Sequence, residues 1–490
     1  MPPTLPSSTP RRLCLLLLLL AVAGAWARPL ADPDEGRYGE AAREMLASGD
    51  WLLPREGGVL YPDKPPGVYW LMALGMGLSG PGTLPLRLPS LVSLALLLLW
   101  IRRRGARGTS PGTGLTAALI AVSCPLFLTL GQLATLDMTL TLCVTGAILS
   151  GRDWLEGGGK GTGLLAGLAL GAGFLVKGPV AWLIPLAVLG ATALWERHPA
   201  RLVRLFHPLL LLPMLAVGLS WYLAAASAEP ALVSYWWNRE FLGRIASDVH
   251  SRARPFWYFP ALAAAVLLPW WSIPAWRRFI RPPREPDRTE PHPDRRLFAV
   301  WGLLPILLFS LPPGKQPGYL APAVPGLALG LASWWTGERL RRLGNRIGAA
   351  LLVLEAGLMA WFSLPAHARS DDFDIVAVND ITDAKTLSYL LRYDSVLGRF
   401  PGDVEVKGDE MTVDGDSFRI FAERSPADLP WDELQVDVVV ESTGVFRSRD
   451  LVSQHIDAGA TWAVVSAPMK DAPDYDVVFG VNDDGFDPAQ

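Results

Sequence analysis

Apolar runs long enough to cross a bilayer recur through residues 1–365 of this chain and then stop. Nothing else limits its fold so strongly, because a spanning helix needs roughly 20 apolar residues and every backbone polar group in lipid must be paired internally. The runs centre on 12–28, 84–101, 112–130, 133–150, 162–176, 178–195, 206–226, 256–275, 297–312, 318–336 and 347–364. They predict a multi-span α-helical membrane protein of about eleven transmembrane helices. Residues 366–490 are of another kind, with 10 Lys and Arg against 26 Asp and Glu, whereas residues 1–365 hold 34 against 21. That contrast predicts two domains, 1–365 and 366–490, of different origin. The three cysteines, Cys14, Cys124 and Cys143, all lie in apolar runs and form neither a disulfide framework nor a metal motif.

Basic residues set the expected orientation. Arg11 and Arg12, then Arg102, Arg103, Arg104 and Arg107, Arg152 and Lys160, Arg197, Arg201 and Arg204, and seven arginines between 277 and 296 fall in alternate loops. The N-terminus is therefore expected in the cytoplasm and the loop 29–83 on the external face. Arg11-Arg12, a leucine run and Ala25-Trp26-Ala27 also fit a cleaved leader, which would leave that loop on the same side.

The first external loop carries the densest chemistry. Asp34 and Glu35 stand together at a membrane exit, where ionisable groups tend to mark working sites. Glu35 to Leu46 has helical spacing, with Gly49 as its stop, so Asp34 is also a plain helix-capping candidate. Val68 to Leu78 reads as an amphipathic helix in the interface, with Tyr69 and Trp70 at headgroup level. Arg37, Tyr38, Tyr61 and Lys64 surround the acidic pair in sequence and suit an anionic lipid headgroup. Other readings stay open: Lys177 could snorkel from a helix end, and Lys315 could be a solvated turn charge.

The ordered set Asp34-Glu35-Gly36-Arg37-Tyr38, Asp63-Lys64-Pro65-Pro66, Tyr69-Trp70, Arg87-Leu88-Pro89-Ser90, Asp137, Lys177-Gly178-Pro179, Trp221-Tyr222, Arg244, His250 and Lys315-Gln316-Pro317-Gly318-Tyr319 resembles the polyprenyl-phosphate-sugar-dependent glycosyltransferases. Among these are the protein O-mannosyltransferases and, closest, the lipid A aminoarabinose transferases. The resemblance implies a GT-C type fold in the bacterial inner membrane, with an active site on the periplasmic face. The expected donor is a polyprenyl (undecaprenyl-type) phosphate-linked sugar, and the acceptor a lipid, glycan or protein. It implies inverting chemistry at Asp34 with Glu35 beside it, and phosphate contact by Lys64 with Arg37, Tyr38, Tyr61, Lys177, Arg244 and Lys315 as neighbours. Asp63 and His250 match a pair that holds zinc in some aminoarabinose transferases, although Asp63 stands where the family has Glu; no cofactor is otherwise required. No nucleic-acid partner is expected. A lipid or sugar transporter is the alternative class, since many spans with embedded charges also describe a carrier.

The acidic tail alternates short β-type runs (Ile375–Val378, Val438–Val440, Trp462–Val465) with polar helical stretches. Val378-Asn379-Asp380, Glu441-Ser442-Thr443-Gly444 and Ser466-Ala467-Pro468 resemble glyceraldehyde-3-phosphate dehydrogenase. The resemblance makes Asp380, Ser442, Thr443 and Gly444 vestigial NAD-site residues in an incomplete α/β Rossmann-type fragment. A glycine fingerprint that would seat pyrophosphate on a helix N-terminus is not upstream, so NAD binding and dehydrogenase activity are not expected. A non-functional fusion of truncated transferase and dehydrogenase fragment is the third expectation.

Overall fold

The computed structural model describes residues 25, 34–56, 58–107, 111–238, 254–268, 270–272, 292–333, 374–394, 398–399, 402–466 and 469–475. The chain divides into two compact units after Pro365.

The first unit is helical. Helix α1 (Asp34–Ser48) ends at Gly49, whose φ of 74° gives it the left-handed turn the sequence predicted there. A two-residue hairpin, β1 (Arg55–Glu56) with β2 (Val59–Leu60), leads to α2 (Gly67–Ser79) and the long α3 (Thr83–Ala106). Then come α4 (Pro111–Val122), α5 (Pro125–Gln132), α6 (Asp137–Leu155), α7 (Lys160–Lys177) and α8 (Val180–Trp195). A 3₁₀ turn precedes α9 (Pro208–Gly218), which passes into α10 (Ser220–Ala228) and the short α11 (Ala231–Tyr235). Further along are α12 (Tyr258–Val266), α13 (Arg295–Ser310) and α14 (Val324–Ala332). One large apolar core joins α1 through α6 to α13 and α14, and a second core joins α6 and α7 to α9.

The expectation of about eleven spans is corrected in part. Among the described residues, Thr83–Ala106 and Pro208–Ala228 are long and apolar enough to cross a membrane. A third joins them if α4 and α5 form one broken span. The reason lies in the breaks. Pro125 starts α5 after a bend of 71°, and Trp270 Nε1 donates to Ser123 Oγ at 2.9 Å within that bend. Elsewhere helices run short, as in Val180–Trp195 and Pro317–Ala332. The expected segments 12–28 and 347–364 lie, Ala25 apart, outside the described residues.

Small residues let the helices approach closely. A Cβ on Gly167 of α7 would lie 2.2 Å from the Leu210 carbonyl oxygen of α9, and one on Gly171 would lie 2.7 Å from Val217 Cβ. Bilayer helices associate through such packing because lipid supplies no hydrophobic drive between them.

Charges gather where helices end. Arg104 at the end of α3 pairs with Asp153 at 2.6 Å and Asp294 at 2.8 Å. Arg152 near the end of α6 pairs with Glu196 at 2.6 Å, Glu156 at 2.8 Å and Asp294 at 3.3 Å. His292 Nε2 meets the Arg104 carbonyl at 3.1 Å, and its Nδ1 accepts from the Asp294 N–H. Several cations that suggested orientation by their number are thus consumed in a buried network binding α3, α6, α8 and the start of α13.

Besides a short two-stranded pair, the described residues of the second unit form two small sheets. In the first, strands run β3–β8–β7–β6 in space, with β3 (Ala377–Asn379) parallel to β8 (Asp416–Phe421). Its meander β6 (Val404–Lys407), β7 (Glu410–Val413) and β8 is antiparallel. The pair β4 (Tyr393–Asp394) and β5 (Gly398–Arg399) follows the helix α15 (Ala384–Arg392). In the other sheet, β9 (Val438–Glu441) pairs in parallel with β10 (Trp462–Val465) across the helix α16 (Arg449–Asp457). Strands are found where the β-type runs were read, with boundaries shifted by one or two residues. Val438, Val440 and Val464 alternate outward and stay about half exposed or more, so one face of this parallel pair is left uncovered.

Candidate active site

Asp34 is the first residue of α1, so the helix begins at the acidic pair. Glu35 is fully committed. Its carboxylate takes two hydrogen bonds from Arg87, Nε at 2.8 Å and Nη2 at 2.6 Å, and a third from the Ala134 N–H at 2.5 Å. Arg87 also donates to the Ala25 carbonyl at 2.7 Å. With 0% and 1% of their side chains exposed, Arg87 and Glu35 form a dry, bidentate bridge that fixes the start of α1 against α3 and the α5–α6 turn. Removing one partner of such a pair strands a buried charge, which gives it a strong hold on local geometry.

One turn further, Arg37 lies 3.3 Å from Glu56 and 6.0 Å from the centre of the Tyr61 ring. These residues line a cavity of about 780 Å³ with Asp63, Glu229, Leu232 and Tyr235. Burial, and next the Asp63 carboxylate, push the Tyr61 phenol up to about 12; it therefore stays a neutral donor. Asp63 accepts from the Tyr235 hydroxyl, and Trp236 Nε1 donates to the Pro62 carbonyl at 3.0 Å. Trp221 Nε1 reaches the Leu52 carbonyl at 2.7 Å, and Trp70 Nε1 the Trp51 carbonyl at 2.8 Å. Indole N–H groups thus pin the loop between α1 and α2, whose own turn is closed by Asp50 Oδ1 accepting from Leu52 and Leu53 N–H.

The other predicted residues are distributed unevenly. Tyr38 is buried, its ring 5.7 Å from that of Tyr69. Lys64 Nζ donates to the Asp63 carbonyl at 2.9 Å. Lys177 pairs with Asp137 at 2.6 Å and lies 5.0 Å from the centre of the Tyr319 ring, and it does not line the cavity. Lys315 is buried with its ammonium on the Arg254 and Pro312 carbonyls at 2.9 and 2.6 Å, where it ties a turn together. Arg244 and His250 lie outside the described residues. Among the described residues no group of three or more His, Cys, Asp or Glu could hold a metal ion.

Glu56, Glu229, Tyr235 and the tie between Arg87 and Glu35 were not singled out from sequence. A lone arginine opening an apolar run was the available signal for Arg87, since such a charge needs a partner. Tyr69 is fully buried between helices, because α2 packs its Val68, Tyr69 and Met72 side onto α1.

In the second unit, Asp380 Oδ1 accepts from the Thr382 N–H at 2.8 Å, and Ser442 Oγ accepts from Ser466 Oγ at 3.1 Å. Thr443 donates to the buried Glu441, and Gly444 has a φ of 70°. Asp380, Thr443 and Gly444 are thus engaged in local turns, and Ser442 bonds across from the end of β9 to the end of β10.

Residues 63–223 match the family described as dolichyl-phosphate-mannose-protein mannosyltransferase, and residues 356–449 match glyceraldehyde 3-phosphate dehydrogenase, NAD binding domain. The undecaprenyl phosphate-alpha-4-amino-4-deoxy-L-arabinose arabinosyl transferase of Edwardsiella ictaluri is 34% identical over 70% of this chain and 61% of that protein. Its counterpart from Pseudomonas paraeruginosa is 33% identical over 75% of this chain and 69% of that protein. ArnT from Cupriavidus metallidurans, solved bound to undecaprenyl phosphate, superposes with a TM-score of 0.61 at 25% identity, covering 74% of this chain and 66% of that one. The chain spans about three-fifths of the first of these relatives. Its fold is that of a multi-pass bacterial inner-membrane protein of GT-C type carrying a partial α/β sheet. On the length and identity of these matches, the chain belongs to the undecaprenyl phosphate-alpha-4-amino-4-deoxy-L-arabinose arabinosyl transferase family.

Proposed function

We propose that residues 1–365 form a glycosyltransferase domain that moves a sugar from a polyprenyl phosphate to a lipid A-like, glycan or protein acceptor on the external face. The N-terminus would be cytoplasmic, and about eleven helices would cross the bilayer, the shorter ones lodged within the bundle. One observation carries the reading: the start of α1 is fixed by a dry ion pair beside a cavity lined by Arg37, Tyr61 and Asp63. In this scheme the acceptor oxygen attacks the anomeric carbon as its bond to the phosphate breaks, giving inversion and free polyprenyl phosphate. Asp34 takes the proton of a hydroxyl acceptor; a phosphate acceptor is already ionised and needs none. Lys64, with Arg37, Tyr38, Tyr61, Arg244, Lys177 and Lys315 as further candidates, offsets charge growing on the leaving phosphate. Glu35 serves in this scheme by holding α1 through Arg87 instead of exchanging protons. Residues 366–490 are assigned as a dehydrogenase-type fragment without dehydrogenase activity, supported by the absence of a glycine fingerprint before Asp374.

The test is transfer in proteoliposomes from a polyprenyl-phosphate-linked aminopentose. Asp34→Asn and Lys64→Ala should each abolish product while expression and membrane insertion stay normal. Near-normal transfer by both variants would refute the site.

A further inference from the structure

Between α8 and α9 the chain forms a 3₁₀ helix, Pro199–Phe206, none of whose residues is buried. Such a helix has three residues per turn, so positions i and i+3 share an edge. Its sequence therefore sorts onto three edges of different chemistry. Leu202 and Leu205, half-buried, pack against the core shared by α6, α7 and α9. Arg201 and Arg204 form the second edge. Val203 and Phe206 form the third, 72% and 74% exposed.

The turn is firmly built. Arg204 Nη1 donates to the Trp154 carbonyl at 2.8 Å, and Trp154 Nε1 donates back to the Arg204 carbonyl at 2.9 Å. The same guanidinium lies 5.4 Å from the centre of the Trp154 ring. His207 closes the far end, its Nδ1 accepting from the Leu209 N–H at 3.2 Å. At the near end Arg197 follows α8 with a φ of 60°, a left-handed position that glycine fills at lower cost. Its side chain has no partner among the described residues. Arg201 reaches Glu196 at 3.7 Å, but that carboxylate is already held by Arg152 at 2.6 Å.

In water, Val203 and Phe206 would stand with Leu194 and Trp195, both more than half exposed at the end of α8, as an uncovered apolar ridge. Cations beside exposed aromatic and aliphatic side chains are the composition of a segment lying in the bilayer interface. Their weakly compensated charge complements an anionic leaflet. The turn is stapled to the Arg152 end of α6, far from the start of α1, so this surface is separate from the proposed chemistry.

We propose that residues 197–206 are an interfacial anchor that selects anionic phospholipid. Val203 and Phe206 enter the acyl region, Arg197 and Arg201 hold phosphodiester headgroups, and Arg204 positions the turn. The test places the full chain in nanodiscs of phosphatidylcholine, alone or mixed with phosphatidylglycerol. Thermal unfolding is measured in each, and the lipids retained from mixed discs are counted by native mass spectrometry. The unaltered protein should retain phosphatidylglycerol preferentially and melt higher in its presence. Arg197→Gly, which suits the backbone, should lower that preference about fivefold, the worth of one cation near an anionic surface. Its melting temperature in phosphatidylcholine should be unchanged or higher. Val203→Ser with Phe206→Ser should reduce retention of both lipids alike. An unaltered protein without preference overturns the proposal, as does a preference that survives Arg197→Gly intact, since other cations then hold the headgroups. Retention unchanged by the serine pair also overturns it, because the apolar edge is then not inserted. If inorganic phosphate added to phosphatidylcholine discs raises the melting temperature as much as phosphatidylglycerol does, the turn binds a free anion and the membrane assignment fails.

Discussion

The two ends of α3 treat charge in opposite ways. At one end Arg87, among the described residues, clasps the Glu35 carboxylate, beside a cavity lined by Arg37, Glu56, Tyr61 and Asp63. At the other, about 25 Å away by helical rise, Arg104 enters a network in which Arg152, Asp153, Asp294 and Glu196 share partners. The first arrangement locates one helix start and leaves a cavity beside it. The second ties four helices together through shared carboxylates. Where one pair fixes geometry, its loss should damage function first; where several pairs overlap, each loss should be softened by the rest.

The largest expected effect is at the sparse end. Asp34→Asn should lower transfer by about 10²–10⁴-fold, the usual worth of a positioned acid or base, measured as initial rate against a hydroxyl acceptor; a tenfold loss or less would remove Asp34 from the chemistry. Arg87→Met should cost about 3–5 kcal/mol of stability, because Glu35 is left charged and dry. Thermal unfolding in nanodiscs measures it, and restoration by the double variant Arg87→Met with Glu35→Leu would confirm that the stranded carboxylate is the cause. At the crowded end, Glu196→Gln should cost less, about 1–2 kcal/mol, because Arg152 keeps Glu156 and Asp294. Equal losses for Arg87→Met and Glu196→Gln would break the contrast.

A gentler test uses the second unit, where His455 is buried between Trp431, which donates to its Nδ1 at 3.1 Å, and Glu441. Burial lowers the His455 pKa despite Glu441. The unfolded chain therefore binds the proton first, and stability should decline as pH falls below about 6.5, levelling once the folded-state value is passed. Hydrogen exchange of α16 across pH 7.5 to 5 reads this, and His455→Gln should flatten the profile. Smallest of all, Val440→Thr on the uncovered face of β9 should change stability by less than about 0.5 kcal/mol, while lowering aggregation by blunting an apolar strand face.

Helix positions were legible where composition alone decides them. α3, α7, α8 and the α9–α10 run lie within a few residues of the apolar runs, and the Gly49 stop follows from glycine's access to positive φ. The bend at Ser123 was not legible, since the residues on both sides are apolar and its indole partner, Trp270, comes 147 residues later. The site divides in the same manner. Arg37, Tyr61 and Asp63 were found because they cluster in sequence, whereas Glu229 and Tyr235 reach the cavity from α10 and α11, beyond any local pattern. Glu35 was recognised as unusual and its partner was not, because 52 residues separate them. Local spacing announces that a charge is needed; only packing reveals what answers it.

The glycine contacts between α7 and α9 have a mechanical consequence. With backbone seated on backbone at Gly167, the two helices have little side-chain slack through which one could slide past the other. α9 continues into α10, whose Trp221 grips the loop at Leu52, and α7 ends at Lys177. A load applied to that loop is thus delivered to Lys177 as a rigid translation, as along a strut, and the loop and the Lys177–Asp137 pair travel together.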